Sequence, residues 1–512
     1  MLTRTTHRHF AMASTLTMAL TAGLFARAAD QPQWGERWTR NQVSSEKNLP
    51  ETFAPQSRQN IKWVAQLGTA THSTPVVGSG RVLIGTNNGR PRNPGQEGDR
   101  GVLMCFDEQD GRFLWELIVS KRLPALYWDW PNEGICSPAT IEGKRAYIVS
   151  NRGEVICLDL EGLANGNGGP YTNEARHATP SASDSVPLTD TDADILWLFD
   201  VTGQTGVRQH DASHGSILIH GPYLYVNTSN GVDDTHKHIA APDAPSLIVL
   251  DKTTGKLIAQ DDEHLGPRIF HSTWSSPTLG EIDGKPLIIF CGGDGVVYAF
   301  EPLPFDANGR PLADASGVKK LKRIWRFDCD PTGPKEDVHR FTRNRRVSPS
   351  NIKSMPVFHD GRVYVTVGGD LWWGKEEAWL KCFDARGTGD LTKTAELWSY
   401  PLTRHSMSTP AVWNGLVFVA DCGRKIHCVD ATTGQPFWTH ELRGEIWASP
   451  YVADGKVYLG TRRGDFWVFA ASKEKKVLAE LELGSGVSGT AVAANGVLYV
   501  TTQKELLAIV KP

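Results

Sequence analysis

Ala448-Ser-Pro-Tyr-Val-Ala-Asp-Gly-Lys-Val-Tyr-Leu-Gly460 places a small pair and a proline before a short apolar stretch, then Asp-Gly, then an alternating apolar run. The same arrangement recurs along almost the whole chain. Aligned on its Ser-Pro position, it falls at Pro75, Pro138, Ile217, Pro277, Pro356, Pro410, Pro450 and Ala491. The last three positions are 40 and 41 residues apart, and the earlier gaps of 54 to 79 residues carry insertions. Self-similarity at such a period marks a repeat architecture.

Each unit reads as four short strands. In the sixth, Thr409–Trp413 is the first, Leu416–Ala420 the second, Ile426–Val429 the third and Pro436–Glu441 the fourth. The turns between them, Asn414-Gly415 and Asp430-Ala-Thr-Thr-Gly434, are hairpin signals because glycine reaches positive φ without a steric penalty. Four strands at a period near 40 predict an all-β, eight-bladed β-propeller of four-stranded antiparallel blades. The eighth unit, Ser488–Pro512, has room for three strands only, whereas Ile61-Lys-Trp-Val-Ala-Gln-Leu67 is a fourth strand without an owner. Pairing this N-terminal strand with the C-terminal blade closes the ring and removes its exposed edges.

Five hundred and twelve residues suit this plan, because repeats add neighbour interfaces instead of enlarging one core. A net charge of −3 gives no basis for a nucleic-acid or anionic-membrane partner. Residues 1–29 read as a signal peptide: Arg4, His7 and Arg8 precede the apolar stretch Phe10–Phe25 and the small-x-small site Ala26-Arg27-Ala28. Residues 30–60 form an N-terminal extension and residues 61–512 the propeller. No other segment is apolar enough for a membrane span, and the first cysteine is Cys105, far from a lipid-anchor position. The expectation is a periplasmic or secreted monomer without span or lipid anchor.

Eight cysteines in an exported chain raise the question of disulfides. Cys105, Cys157, Cys382 and Cys428 share one third-strand position, with Ala299 in the fourth blade and Phe469-Ala470 near it in the seventh. That pattern reads as a small core site filled by a compact hydrophobe. Cys136, Cys291, Cys329 and Cys422 leave room for a bridge.

Val429-Asp-Ala-Thr-Thr-Gly-Gln-Pro-Phe-Trp438 resembles the tryptophan-docking motif of the pyrroloquinoline quinone (PQQ) repeat family. Phe106-Asp-Glu-Gln-Asp-Gly-Arg-Phe-Leu-Trp115 and Leu250-Asp-Lys-Thr-Thr-Gly255 are partial versions. The resemblance implies the propeller fold. The family includes alcohol dehydrogenases that use PQQ and calcium, the propeller of the outer-membrane protein assembly machinery, and exported members of the kind seen in planctomycete-like bacteria. The motif itself is structural: its turn fixes a hairpin and its Trp packs between blades.

Function is expected in the loops. Loops between blades and loops from second to third strand emerge on one face, around the funnel. Those between blades carry His72, Trp128-Asp129-Trp130, Glu133, His210, Asp211, His214, His271, Trp274, Arg345, Arg346, Arg404, His405, Arg443, Glu445 and Trp447. A concave mouth with aromatics and convergent polar groups is where a small ligand binds. Candidate ligand or cofactor residues are His214, Asn227, Asn230, His271, Trp274, Arg404, His405 and Trp447.

Two insertions add to that face. In the third blade, Asn227, Asn230, Asp233 and Asp234 offer oxygens for a hard cation, and His236 and His238 suit a transition metal. The loop resembles in position an Asn-bearing insertion near calcium and PQQ in the dehydrogenases, which either Asn227 or Asn230 would match. The metal candidates are therefore Asn227, Asp233, Asp234, His236 and His238. In the fifth blade, Gly368-Gly-Asp-Leu-Trp-Trp-Gly-Lys-Glu-Glu-Ala-Trp379 groups aromatics with carboxylates.

Three readings follow. The first is a non-catalytic exported propeller that binds a periplasmic protein or a small molecule at its funnel face, with no firmly expected cofactor. The second is a PQQ- and calcium-dependent dehydrogenase of alcohols or sugars, with Asp129, Glu133, Asp233 or Asp234 as base. The third is a carbohydrate-binding or hydrolytic propeller. No two cysteines are adjacent, unlike the pair that caps PQQ in many alcohol dehydrogenases.

Overall fold

The computed structural model describes Met1 and residues 29–122, 127–179, 185–312 and 317–511. The expected signal peptide, apart from its two end residues, lies outside the described residues. Eight sheets follow one another along the chain, each with strands in sequence order. Blades 1 to 7 span residues 76–120, 140–200, 218–260, 278–328, 357–402, 411–441 and 451–482. Blade 8 combines residues 492–509 with the strand Ile61–Gln66, which pairs antiparallel with Glu505–Ile509. The N-terminal strand thus closes the ring. In blade 6 the strands Ala411–Trp413, Leu416–Asp421, Lys425–Asp430 and Pro436–Glu441 lie within two residues of the sequence reading.

The docking tryptophans join neighbouring blades. Trp63, Trp115, Trp197, Trp398 and Trp438 each donate Nε1–H to a main-chain carbonyl in the third turn of the next blade, at 2.9–3.3 Å. The receiving turn is shaped for the ring. Asp430 Oδ1 accepts from the amides of Thr432 and Thr433, and Gly434 takes φ 72°. A Cβ on Gly434 would sit 2.6 Å from Trp398, so both the turn and the docking require glycine.

All eight cysteines are buried free thiols. The bridge allowed for among Cys136, Cys291, Cys329 and Cys422 is not formed. Cys105, Cys157, Cys382 and Cys428 stand opposite the docking Trp of their own blades, and Ala299 holds that place opposite Trp325. In blade 7 the place falls to Val468, one residue before Phe469-Ala470, because the strand bulges just after it.

Residues 29–60 cross the end of the ring that carries the hairpins between first and second strands. Main-chain bonds link Gln31 to Val77 in blade 1, Pro32 to Ile141 in blade 2, Trp38 to Leu279 in blade 4 and Thr39 to Phe358 in blade 5. Asn41 exchanges two bonds with Val412 of blade 6, Gln42 and Ser44 bracket Val452 of blade 7, and Glu46 accepts from Gly496 of blade 8. Blade 3 is engaged by Arg40. One short segment can reach all eight blades only if their first strands surround the axis, so this segment plugs the channel. Arg40 is fully buried and donates to the carbonyls of Pro277, Trp34, Ser216 and Ile217 and to Ser216 Oγ, at 3.0–3.1 Å. All five guanidinium N–H groups are used. Burial pulls its pKa down to about 9, so it stays charged at neutral pH.

Candidate functional site

The opposite end of the ring holds a cavity of about 340 Å³. Its wall is built from eight loops, five before or between blades and three within blades. His72 comes from the loop before blade 1, and Tyr127, Trp130 and Glu133 from the loop between blades 1 and 2. Asp211 and His214 precede blade 3, and His271 and Trp274 precede blade 4. His236, Trp372 with Trp373, and Arg462 come from the second-to-third-strand loops of blades 3, 5 and 7, and Trp447 precedes blade 7. Such convergence follows from topology: a ring brings residues far apart in sequence to one mouth, and loops tolerate polar and aromatic side chains that strands exclude.

The floor is a cluster of three buried imidazoles, His210, His236 and His271. His210 Nε2 lies 3.2 Å from His236 Nε2 and 3.1 Å from His271 Nε2. On their outer sides, His210 Nδ1 is 2.8 Å from the Val232 carbonyl and His271 Nδ1 is 3.1 Å from Asp370 Oδ2. Asp211 Oδ2 adds a carboxylate 3.4 Å from His210 Nε2 and 3.7 Å from His271 Nε2. Tyr127 stacks on His210 at 5.6 Å and Trp373 packs on His236 at 4.5 Å. Burial drives the pKa of His210 well below its usual value, and that of His236 to about 4.

Behind the cluster, Asp370 accepts from His271, from Asn351 Nδ2 at 3.0 Å, and from the amides of Trp372 and Trp373. Burial works against its charge, but His271 and Lys353 outweigh it and hold the carboxyl well below the usual range. Lys353 is itself buried, 3.0 Å from Ser272 Oγ and 3.8 Å from the Trp274 ring centre. Across the cavity, Glu133 Oε2 meets His72 Nε2 at 2.6 Å. Burial alone would raise Glu133, and the hydrogen bond and charge of His72 reverse that. Arg462 lies over Trp447 at 3.8 Å and pairs with Glu445 at 2.9 Å.

Of the residues singled out from sequence, His214, His271, Trp274 and Trp447 line the cavity. His405 is buried near Asp370, with its pKa pulled to about 4 by burial, and Arg404 is not among the lining residues. Asn227 spends its amide on the carbonyls of Thr273 and Ser275, tying blade 3 to the next loop, and Asn230 donates to Ala241. Asp233 caps a turn through Thr235, Asp234 pairs with Arg208, and His238 is exposed. Only His236 of the five metal candidates joins the cluster. Asp129 is committed to Lys121 and Asn151, both at 2.7 Å. Lys353 and Tyr127 carried no sequence signal that would single them out; Asp370 lies in the fifth-blade insertion noted above, and Arg345, noted in the funnel, braces the Trp372 loop through three carbonyls.

The fold and the site define the class: an eight-bladed propeller with a one-sided, loop-built pocket. Residues 376–509 match the family described as outer membrane protein assembly factor BamB. A quinohemoprotein alcohol dehydrogenase, ADH IIB of Pseudomonas putida, is 23% identical over 423 residues, covering 76% of this chain and 53% of that protein. The chain thus spans about half the length of this curated relative. Among solved structures, BamB from Moraxella catarrhalis covers 88% of this chain and 98% of its own at 13% identity and TM-score 0.48. A europium-containing methanol dehydrogenase covers 94% and 98% at 11% identity and TM-score 0.48. The chain is an eight-bladed propeller, and PQQ-like repeats are matched over its residues 376–509. No described helix is long and apolar enough to cross a membrane.

The residues present do not fit PQQ with calcium. Calcium takes six to eight oxygens, whereas the convergent donors here are three imidazole nitrogens and one carboxylate. PQQ needs a flat slot, but Trp274 meets Trp372 at 75° and Trp372 meets Trp447 at 86°. The face of Trp274 also carries Lys353.

Proposed function

We propose that this chain is an exported binding propeller whose funnel pocket holds a small molecule. The observation that supports this reading most is the concave aromatic wall: Trp130 and Trp372, each more than a third exposed, stand at the mouth of a cavity of about 340 Å³. Pockets of that size bury small ligands, and tryptophan faces take sugar rings or aromatic groups. Arg462 and the Glu133–His72 pair supply the orienting polar groups. Concavity favours a small molecule over a protein partner, which would need a broad, flatter rim. Export is supported by the basic and apolar pattern of the first 29 residues.

The test is tryptophan fluorescence of the mature chain titrated with sugars and aromatic carboxylates. A saturable change that Trp372→Ala abolishes is expected. Silence across the panel, with a periplasmic protein captured by cross-linking at the mouth, would replace the small molecule by a protein. Titration with PQQ and calcium is expected to leave the melting temperature unchanged; a saturable rise would restore the dehydrogenase reading.

A further inference from the structure

We propose that His210, His236 and His271, completed by Asp211, bind one divalent transition-metal ion on the floor of the funnel pocket. The direction of the lone pairs is the first argument. His210 and His271 each turn Nδ1 to an oxygen acceptor, the Val232 carbonyl and Asp370, so in the neutral ring the proton sits on Nδ1 and Nε2 is the nitrogen free to bind an ion. The three Nε2 atoms then face one another, 3.1 and 3.2 Å from that of His210. Bare lone pairs at such distances repel, and a cation between them turns the repulsion into bonding.

Spacing is the second argument. Ligand atoms roughly 2.1 Å from a tetrahedral ion stand roughly 3.4 Å from one another. The three imidazole nitrogens lie within 4.8 Å of one another, and Asp211 Oδ2 is 3.4 Å and 3.7 Å from two of them. The third argument is support around the donors. Asp370 orients His271 as a carboxylate behind a metal-binding histidine, a relation that fixes the tautomer and strengthens the ligand. Asp211 Oδ1 is buried without a hydrogen-bond partner.

Three nitrogens and one oxygen select an ion of the zinc, cobalt or copper kind over calcium or magnesium. Asp211, His236 and His271 also line the cavity, so the bound ion lies at the edge of the pocket. The metal site goes beyond the ligand reading and does not depend on it.

The experiment strips the mature chain with a chelator and titrates it with cobalt(II), following visible absorption and metal content. The expected result is one equivalent bound with the intense bands of a tetrahedral site, displaced by zinc. His236→Asn, a change in a surface insertion, is expected to weaken binding by about a hundredfold or more while the melting temperature of the metal-free protein is retained. Asp370→Asn is expected to weaken it tenfold to a hundredfold and to shift the bands, as loss of a supporting hydrogen bond does. Failure to bind one equivalent, or binding that His236→Asn leaves intact, would overturn the site. So would an imidazole proton shared between His210 and a neighbour that persists at saturating cobalt. Metal content is read with no organic ligand present, so this outcome and that of the fluorescence titration are independent.

Discussion

The two ends of the channel solve the same problem in opposite ways. Both must finish a ring whose axis is lined by strand edges and side chains. At the plugged end, residues 29–60 meet those groups with main-chain bonds, and the buried guanidinium of Arg40 has every N–H matched to an acceptor. At the funnel end, loops meet one another and leave polar atoms unspent: His72 Nδ1, Asp211 Oδ1 and Trp447 Nε1 are buried without partners. Buried polar groups are nearly always satisfied, so these three, which share one cavity wall, stand open to a further partner, whereas the plug's own two, Gln33 Oε1 and Gln42 Oε1, share no cavity.

The comparison can be broken, first and most forcefully, at Arg40. Arg40→Ala removes a donor from four carbonyls and the Ser216 hydroxyl, of which the Ile217 carbonyl and the hydroxyl keep Thr140 Oγ1, at a cost of about 4 kcal/mol. Urea unfolding measures the loss, and cobalt binding at the other end is expected to persist. A loss below about 1 kcal/mol would mean the plug is not a structural closure.

A smaller effect separates the two ends by pH. His405, behind the funnel, is held neutral by burial with a pKa of about 4 against 6.5 for the unfolded chain. The unfolded chain therefore takes up the proton first, and stability falls as pH drops from 6.5 toward 4. This group alone accounts for up to about 3 kcal/mol at pH 4. Unfolding curves across that range are expected to slope less in His405→Leu, and an unchanged slope would remove His405 from the account. Smallest of all, Glu133→Gln weakens a partly exposed pair with His72 and is expected to cost under about 1 kcal/mol of stability. Its effect belongs in ligand affinity, read by the fluorescence titration.

The ring was legible because its rules are local and repeated. Asp430 and Gly434 shape the turn that receives Trp398, and Trp438 docks on the next blade, so nine residues of sequence carry both halves of a repeated interaction. The funnel was legible as a list of residues but not as a site. His210, Asp211 and His271 belong to two loops between blades and His236 to an insertion, and only the closed ring brings their nitrogens together. His236 and His238 look alike in sequence, yet the turn at His236, with φ 58°, buries one ring and leaves the other exposed. The plug left no trace at all, since main-chain bonds carry no side-chain pattern and Arg40 reads as an ordinary basic residue.

The strand Ile61–Gln66 has a further consequence, for the order of assembly. Its partner, Glu505–Ile509, lies some 440 residues away, and the plug before it needs the first strands of all eight blades. A ribosome or export channel delivers this segment early, long before anything exists for it to pair with. Contacts so distant in sequence form slowly, because the loop they close is the whole molecule. The segment that arrives first is thus the one that locks last, and until the final blade is made the nascent protein is an open arc with two unpaired edges.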